Sequence, residues 1–103
     1  MKYRVIVTPD AENDLRTAWY YIRKHAPNAA RTWIKGARQT IRSLGQYPER
    51  GHMAPESNSF HEPIREVFYG NRGTYRILFV VLDKLVFILH VRRGAMLPLE
   101  PEE

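Results

Sequence analysis

Five basic side chains in the second half of the sequence could carry out chemistry on a phosphodiester. They are Arg65, Arg76, His90, Arg92 and Arg93. Arginines hold phosphate oxygens and stabilise the charge that develops during phosphoryl transfer. A histidine beside them can move the proton, which is worth typically ~10²–10⁴ in rate. This set is typical of a metal-independent ribonuclease, although a histidine flanked by arginines is also typical of the solvated end of a strand.

Adjacent strands are needed to bring these side chains together. The segment YRILFVVLDKLVFILHVRRG, residues 75–94, consists of two apolar runs on either side of a short polar turn. It predicts a β-hairpin whose connection has four residues and is built around a type I turn. In a symmetric hairpin of this kind, His90 lies opposite Ile77, and Arg92 lies opposite Tyr75.

Both faces of the predicted hairpin are apolar for most of their length. A sheet with one face in water normally alternates apolar and polar residues, and this hairpin does not. Two helices can cover only one face well, so the second face needs another cover. We favour a binding partner for this role, and the alternatives are a long loop, the C-terminal tail or a second copy of the chain.

The elements before the hairpin can be assigned from periodicity and from capping residues. The alternating segment KYRVIVT (2–8) predicts a strand, and Thr8-Pro9 then predicts the start of a helix over residues 9–25. Pro27 is expected to end that helix, Asn28 to cap a second one, and Gly45 to stop it. Residues 46–63 predict a long surface loop, because they are rich in Pro, Gly, Ser and Asn.

This order of elements, β-α-α-β-β-β, predicts an α+β domain. Its antiparallel sheet carries a two-helix hairpin packed on one face. The 103-residue chain is long enough for one domain, assigned to residues 1–95, and residues 96–103 are expected to form a flexible acidic tail. The chain has no cysteine, no signal-peptide pattern and no apolar segment near the ~18 residues of a membrane span, so a cytoplasmic location is expected.

The basic residues are concentrated in one part of the chain. The net charge is +5, and seven of the 16 Lys and Arg residues lie between Leu15 and Pro48, where there is no acid. Four of them follow helical spacing as one stripe. They are Arg31, Lys35, Arg38 and Arg42. Such a stripe can follow a phosphate backbone or dock an acidic partner, and it is also typical of a solvated helix face.

Several short segments together resemble the RelE/ParE superfamily of type II toxin–antitoxin toxins. They are TPDAENDL after the first strand, ARTWI, IRSLGQYPERG, IREV, YRILFVV and ILHVRRG. Their order and spacing cover nearly the whole chain. The segment IRSLGQYPERG and the long helical hairpin are closer to the ParE-like branch, whose members poison DNA gyrase.

The resemblance implies a small basic toxin without a cofactor or metal. It also implies a cognate antitoxin that covers apolar surface in a toxin–antitoxin hetero-oligomer, here at the basic helical stripe and at Phe79 and Ile88. Arg65 and Arg93 are the candidate target-binding residues.

The alternative is a RelE-like endonuclease that cleaves mRNA on the ribosome, with Arg76, His90 and Arg92 as catalytic residues. Against it, Val67 occupies a position where those nucleases carry a lysine, and no tyrosine follows Arg93. A non-toxic, nucleic-acid-binding relative is a further alternative.

Overall fold

The computed structural model of the chain describes residues 2–101. Its helices are α1 (Pro9–His25), α2 (Pro27–Ser43) and the short α3 (Glu56–Phe60). Its strands are β1 (Arg4–Val7), β2 (His52–Met53), β3 (Arg65–Tyr69), β4 (Tyr75–Leu82) and β5 (Leu85–Arg93). None of the helices found between residues 2 and 101 is long and apolar enough to cross a bilayer.

The helical hairpin begins as the sequence predicts. The Thr8 hydroxyl accepts a hydrogen bond from the Ala11 amide at 3.3 Å, and Pro9 is the first residue of α1. Helix α1 ends at His25 as predicted, but α2 begins two residues earlier than the predicted cap Asn28 implies. Pro27 does not end α1 but begins α2, where its missing N–H costs nothing because the first helical N–H groups have no partner within the helix. Ala26 therefore stands at the N-cap, without a side-chain hydrogen bond.

The α+β class and the predicted succession of elements are confirmed. One five-stranded sheet has the order β1-β5-β4-β3-β2. Strands β3, β4 and β5 form the expected antiparallel meander, whereas β1 pairs in parallel with β5, which makes the sheet mixed. The short strand β2 was not predicted, because it lies within residues 46–63, which read as a loop. The connection between β4 and β5 has two residues rather than four, since Leu82 and Leu85 already pair.

A β-bulge in the hairpin changes the predicted register at the basic end. Phe79 pairs with Ile88, but the next pair is Leu78 with His90, so Leu89 is left without an opposite residue. An extra residue of this kind moves every following side chain to the other face of the sheet. The predicted pairs of His90 with Ile77 and of Arg92 with Tyr75 are therefore wrong. Instead, Arg92 lies opposite Arg76, and Arg93 lies opposite Tyr75.

The main core lies between the helical hairpin and one face of the sheet. On the strand side it contains Ile77, Phe79, Val86, Ile88 and Val91. Phe79 and Ile88 have no exposed surface. The prediction that these two residues contact an antitoxin is therefore corrected, because the helices of the same chain already cover them.

The second face of the sheet is covered in part by the chain itself. Ala54 and Ile64, at the two ends of the segment that contains α3, pack on Leu78 in a small second core. The long loop, which was an alternative to the favoured binding partner, therefore supplies part of the cover, and the preference for a partner is corrected to that extent. The cover ends before the β4–β5 turn, where Leu82 is 61% exposed and Val80 is half-buried.

The C-terminal tail also contacts this face. The Leu99 amide donates a hydrogen bond to Glu56 Oε2 at 3.0 Å, and Arg92 Nη2 donates one to the Leu97 carbonyl at 3.0 Å. The described part of the predicted tail is thus held against the domain. Residues 102 and 103 lie outside the described residues.

Candidate functional site

Arg76, the first of the predicted catalytic residues, lies in the interior of the domain. It is only 6% exposed and is held between two carboxylates. Its Nη1 and Nη2 donate to Glu56 Oε1 and Oε2 at 3.0 and 2.8 Å, and Nη1 also donates to Glu66 Oε1 at 2.8 Å. The pairing with Glu56 is bidentate, which is the strongest geometry between an arginine and a carboxylate.

The charges of this ion triad shift its pKa values strongly. Burial by itself would raise the pKa of Glu56, but hydrogen bonds from Arg76 and from the Leu99 amide outweigh it and hold that pKa at about 2. The hydrogen bonds from Arg76 to Glu56 and Glu66 in turn raise the pKa of Arg76 above its ordinary value, against the effect of burial. Glu56 and Arg76 therefore carry charge at neutral pH, and their charges are satisfied within the protein.

The triad connects several elements that are far apart in sequence. Glu56 lies on α3, Glu66 on β3 and Arg76 on β4, and the Leu99 amide of the tail is bound to Glu56. On the other side, Glu66 Oε2 lies 2.8 Å from Nε2 of His52 on the edge strand β2. This position gives Arg76 a structural role. Its guanidinium is buried and paired with two carboxylates, so it is not presented to a phosphate.

His90, the second predicted catalytic residue, is paired with an acid that the sequence analysis did not connect to it. Its Nδ1 lies 2.9 Å from Oδ2 of Asp14 on α1, and the same oxygen accepts a hydrogen bond from the Val91 amide at 2.9 Å. Because a carboxylate only accepts hydrogen bonds, Nδ1 carries the proton and Nε2 is the ring nitrogen left to face the surroundings. The two side chains are 28% and 27% exposed.

The remaining predicted cations do not converge on His90. Arg92 and Arg93 are successive residues of β5 and point to opposite faces of the sheet. Arg65 donates to the Glu49 carbonyl at 3.1 Å and to the Gly51 carbonyl, which fixes the turn before β2. Of the two candidate target-binding residues, Arg93 is therefore the exposed one.

The basic stripe on α2 is fully on the surface. Its four members, Arg31, Lys35, Arg38 and Arg42, are all exposed. Arg38 is bound by Glu12 of α1, with Nη2 at 2.6 Å from Oε1. This pair lowers the pKa of Glu12 and neutralises one of the four charges. Arg31, Lys35 and Arg42 remain as the part of the stripe that can attract an acidic partner.

An open cleft lies between α1 and the end of β5. Its volume is about 460 Å³, and its lining includes Tyr21, Tyr75 and Arg93. From the sequence, Tyr75 is predicted only to lie on a strand, because a tyrosine in an apolar run gives no sign that its hydroxyl faces an opening. Among residues 2–101, no group of three or more His, Asp or Glu side chains is arranged as metal ligands would be.

Comparisons with known proteins specify the family of this chain. The family model described as the ParE toxin of the type II toxin–antitoxin system parDE matches residues 5–98. The chain therefore belongs to the ParE toxin family, and the predicted membership of the RelE/ParE superfamily, on its ParE-like side, is confirmed.

Solved structures support the same fold. The chromosomal ParDE toxin–antitoxin system from P. aeruginosa is similar to this chain, with a TM-score of 0.72 and 20% sequence identity. The match covers 89% of this chain and 96% of that one. At this identity the likeness shows the fold alone. A comparison with curated proteins gives no match.

The ion triad predicts a large loss of stability when its arginine is replaced. Arg76→Met leaves two buried carboxylates without the guanidinium that pairs with them, so we expect the free energy of unfolding to fall by about 3–5 kcal/mol. Urea unfolding at pH 7, followed by circular dichroism, measures this loss. The matched control is the triple variant Arg76→Met/Glu56→Gln/Glu66→Gln, which removes the unpaired charges and should recover part of the stability. A loss below about 1 kcal/mol for Arg76→Met, typical of a surface ion pair, would contradict a buried triad.

The low pKa of Glu56 predicts how stability depends on pH. Because its pKa is lowered in the folded state from 4.5 to about 2, its contribution is present above pH 4.5 and is lost as the pH falls towards 2. We expect the free energy of unfolding of the wild type to exceed that of Glu56→Gln by about 3 kcal/mol at pH 6. This difference should shrink steadily below pH 4.5. Urea unfolding of both proteins between pH 6 and pH 3 tests this. A difference that stays constant over this range would contradict the assignment.

Proposed function

We propose that this toxin stops growth by binding and poisoning DNA gyrase, and that a cognate antitoxin neutralises it. Membership of the ParE family supports an antitoxin partner. The choice of gyrase over mRNA depends on one observation, the burial of Arg76 between Glu56 and Glu66. An arginine that is buried and paired in this way is not presented to a scissile phosphate.

The positions of the other cations support the same choice. Cleavage of a phosphodiester without a metal needs several donors aimed at one developing charge. Arg92 is bonded to the Leu97 carbonyl, and Arg93 points to the opposite face from Arg92. Within residues 2–101, Arg92 and Arg93 therefore do not converge beside His90 as a nuclease site would require.

A RelE-like endonuclease remains the second candidate because of the pair formed by His90 and Asp14. A histidine held by a carboxylate through Nδ1 presents Nε2 in the way that general bases do. Among the residues predicted to be catalytic, His90 is the one in this arrangement. The same pair also connects α1 to β5, because Asp14 Oδ2 accepts a hydrogen bond from the Val91 amide. A structural role therefore explains the pair as well.

Gyrase poisoning predicts activity that does not depend on His90. We expect the purified toxin to inhibit supercoiling by gyrase and to leave ribosome-bound mRNA intact. His90→Ala should inhibit gyrase as well as wild type does, once thermal unfolding shows that the variant is folded. A nuclease would instead cleave the message and lose ~10²–10⁴ in rate on this substitution. That result would overturn the gyrase proposal, and normal growth on expression of the toxin alone would indicate an inert relative.

For the antitoxin we propose a docking site on the basic stripe of α2. Arg31 and Lys35 are exposed, and opposite charge on a partner would speed association and fix its orientation there. Phe79 and Ile88 take no part in this site because they are buried. The exposed apolar residues near the β4–β5 turn are the alternative surface that an antitoxin could cover.

The stripe predicts that charge reversal weakens antitoxin binding. Arg31→Glu/Lys35→Glu should lower the affinity for the antitoxin encoded beside the toxin about tenfold or more, mainly through slower association at low salt. The control is Lys2→Glu/Arg72→Glu, which makes the same change of charge at exposed sites outside α2 and outside the β4–β5 turn. Surface plasmon resonance at two salt concentrations measures both rate constants. Equal losses for the two variants would place the antitoxin elsewhere.

A further inference from the structure

The cleft between α1 and the end of β5 has the features of a binding site. Its walls are apolar where Ala18 and Val91 meet, and Met96 stands at its rim. Tyr21 and Arg93 are exposed at its mouth. An apolar opening with a few converging polar groups is the usual form of a site that recognises one side chain or a small ligand.

Tyr75 places an unpartnered donor in this cleft. The residue is 9% exposed, and its ring packs edge-to-face on Trp33 with a centroid separation of 4.9 Å. Among residues 2–101, however, no group forms a hydrogen bond with its hydroxyl. The nearby Tyr69 differs in this respect, because its hydroxyl donates to the Trp33 carbonyl at 2.8 Å. Because Tyr75 lines the cleft, its hydroxyl is available for a partner that comes from outside the chain.

The charge around this hydroxyl favours an anion. Burial raises the pKa of Tyr75, which keeps the hydroxyl protonated and able to donate, and the positive charge of Arg93 opposes that shift. Tyr21 raises the pKa of Tyr75 further. Tyr21, Tyr75 and Arg93 therefore lie close enough to act on one another. Asp14 also lines the cleft, but its Oδ2 is already bonded to His90 and to the Val91 amide.

The number of cations decides which anion fits. Arg92 and Arg93 both line the cleft together with the carboxylate of Asp14, so the lining carries one net positive charge. Arg93 is the more accessible of the two guanidiniums, because it is exposed and Arg92 Nη2 is bonded to the Leu97 carbonyl. A phosphate would carry more negative charge than this net charge balances. A carboxylate carries one negative charge and accepts hydrogen bonds from a guanidinium and from hydroxyls. The apolar walls then suit an aliphatic or aromatic side chain next to the acid.

We propose that this cleft is a carboxylate-binding site, which takes an aspartate or glutamate of the toxin's protein target together with an adjacent apolar residue. Arg93 and the Tyr75 hydroxyl bind the carboxylate, and Ala18, Val91 and Met96 contact the apolar neighbour. This inference rests on the proposed function, because it names gyrase as the partner. The site lies at the end of β5, whereas the antitoxin is proposed to dock on α2, so the two surfaces can be tested separately.

Two substitutions test the site without removing its frame. Arg93→Gln removes the charge, and Tyr75→Phe removes only the hydroxyl while it keeps the ring on Trp33. Arg72→Gln is the control, because Arg72 is exposed, lies outside the cleft and makes the same change in net charge. Thermal unfolding of all variants verifies that each is folded.

The experiment measures the dissociation constant of each variant for purified gyrase in the absence of DNA, and then the inhibition of supercoiling. We expect Arg93→Gln to bind about tenfold more weakly or worse, and Tyr75→Phe several-fold more weakly, because a hydrogen bond to a charged group is lost in each case. Arg72→Gln should bind as wild type does. Inhibition should weaken in the same order.

The possible contrary results separate the two proposals. Absence of binding by the wild-type toxin would overturn the proposed function and, with it, gyrase as the partner. Wild-type binding that neither substitution in the cleft weakens would overturn the cleft inference alone. If the cleft substitutions weaken binding only to DNA-bound gyrase, the cleft binds a DNA phosphate. If they lower the affinity for the antitoxin and leave gyrase binding intact, the cleft binds the antitoxin. Both of these outcomes would overturn the inference as stated.

Discussion

The bidentate ion pair between Arg76 and Glu56 is the interaction on which the second face of this domain depends. A guanidinium on a central strand is tolerated in the interior only if its charge and its donors are satisfied. Glu66 on the neighbouring strand supplies the second carboxylate, and Glu56 reaches the triad because the segment between β2 and β3 folds across the sheet. The triad thus holds α3 over the sheet and, through the Leu99 amide, also holds the tail.

The same interaction gives Arg76 a structural role in place of a catalytic one. An arginine that could have served a nuclease is committed to two carboxylates, so the chemistry suggested by the residue types is not supported by their geometry. The cations that remain exposed lie on different surfaces. Those of α2 form a stripe suited to long-range attraction, whereas Arg93 stands at a cleft that has a defined shape.

A single extra residue in β5 has a large effect on these surfaces. The bulge at Leu89 places Arg92 on the face of Arg76 and turns Arg93 and Val91 to the helix side. Without it, Arg93 would lie on the opposite face from the one that forms the cleft with α1. Bulges commonly re-aim side chains near functional sites, and here the bulge selects which arginine remains available.

Much of the fold could be predicted from the sequence, because the signals are local. The 3.6-residue period of apolar residues and the Thr8-Pro9 start predict α1, and the two apolar runs around Asp83 predict the β4–β5 hairpin. The basic stripe of α2 was also predictable, since helical spacing alone puts its members on one side. The sequence segments were sufficient for the superfamily as well, although not for the target.

The tertiary structure decided what each predicted site residue does. The burial of Arg76 depends on Glu56, 20 residues earlier in a segment without regular periodicity, and the partner of His90 is 76 residues away on α1. The bulge could not be predicted either, because an extra residue in a run of apolar side chains changes neither the composition nor the period of the sequence. Local patterns report the side of an element on which a residue lies, and only the packed fold determines which charges meet across elements.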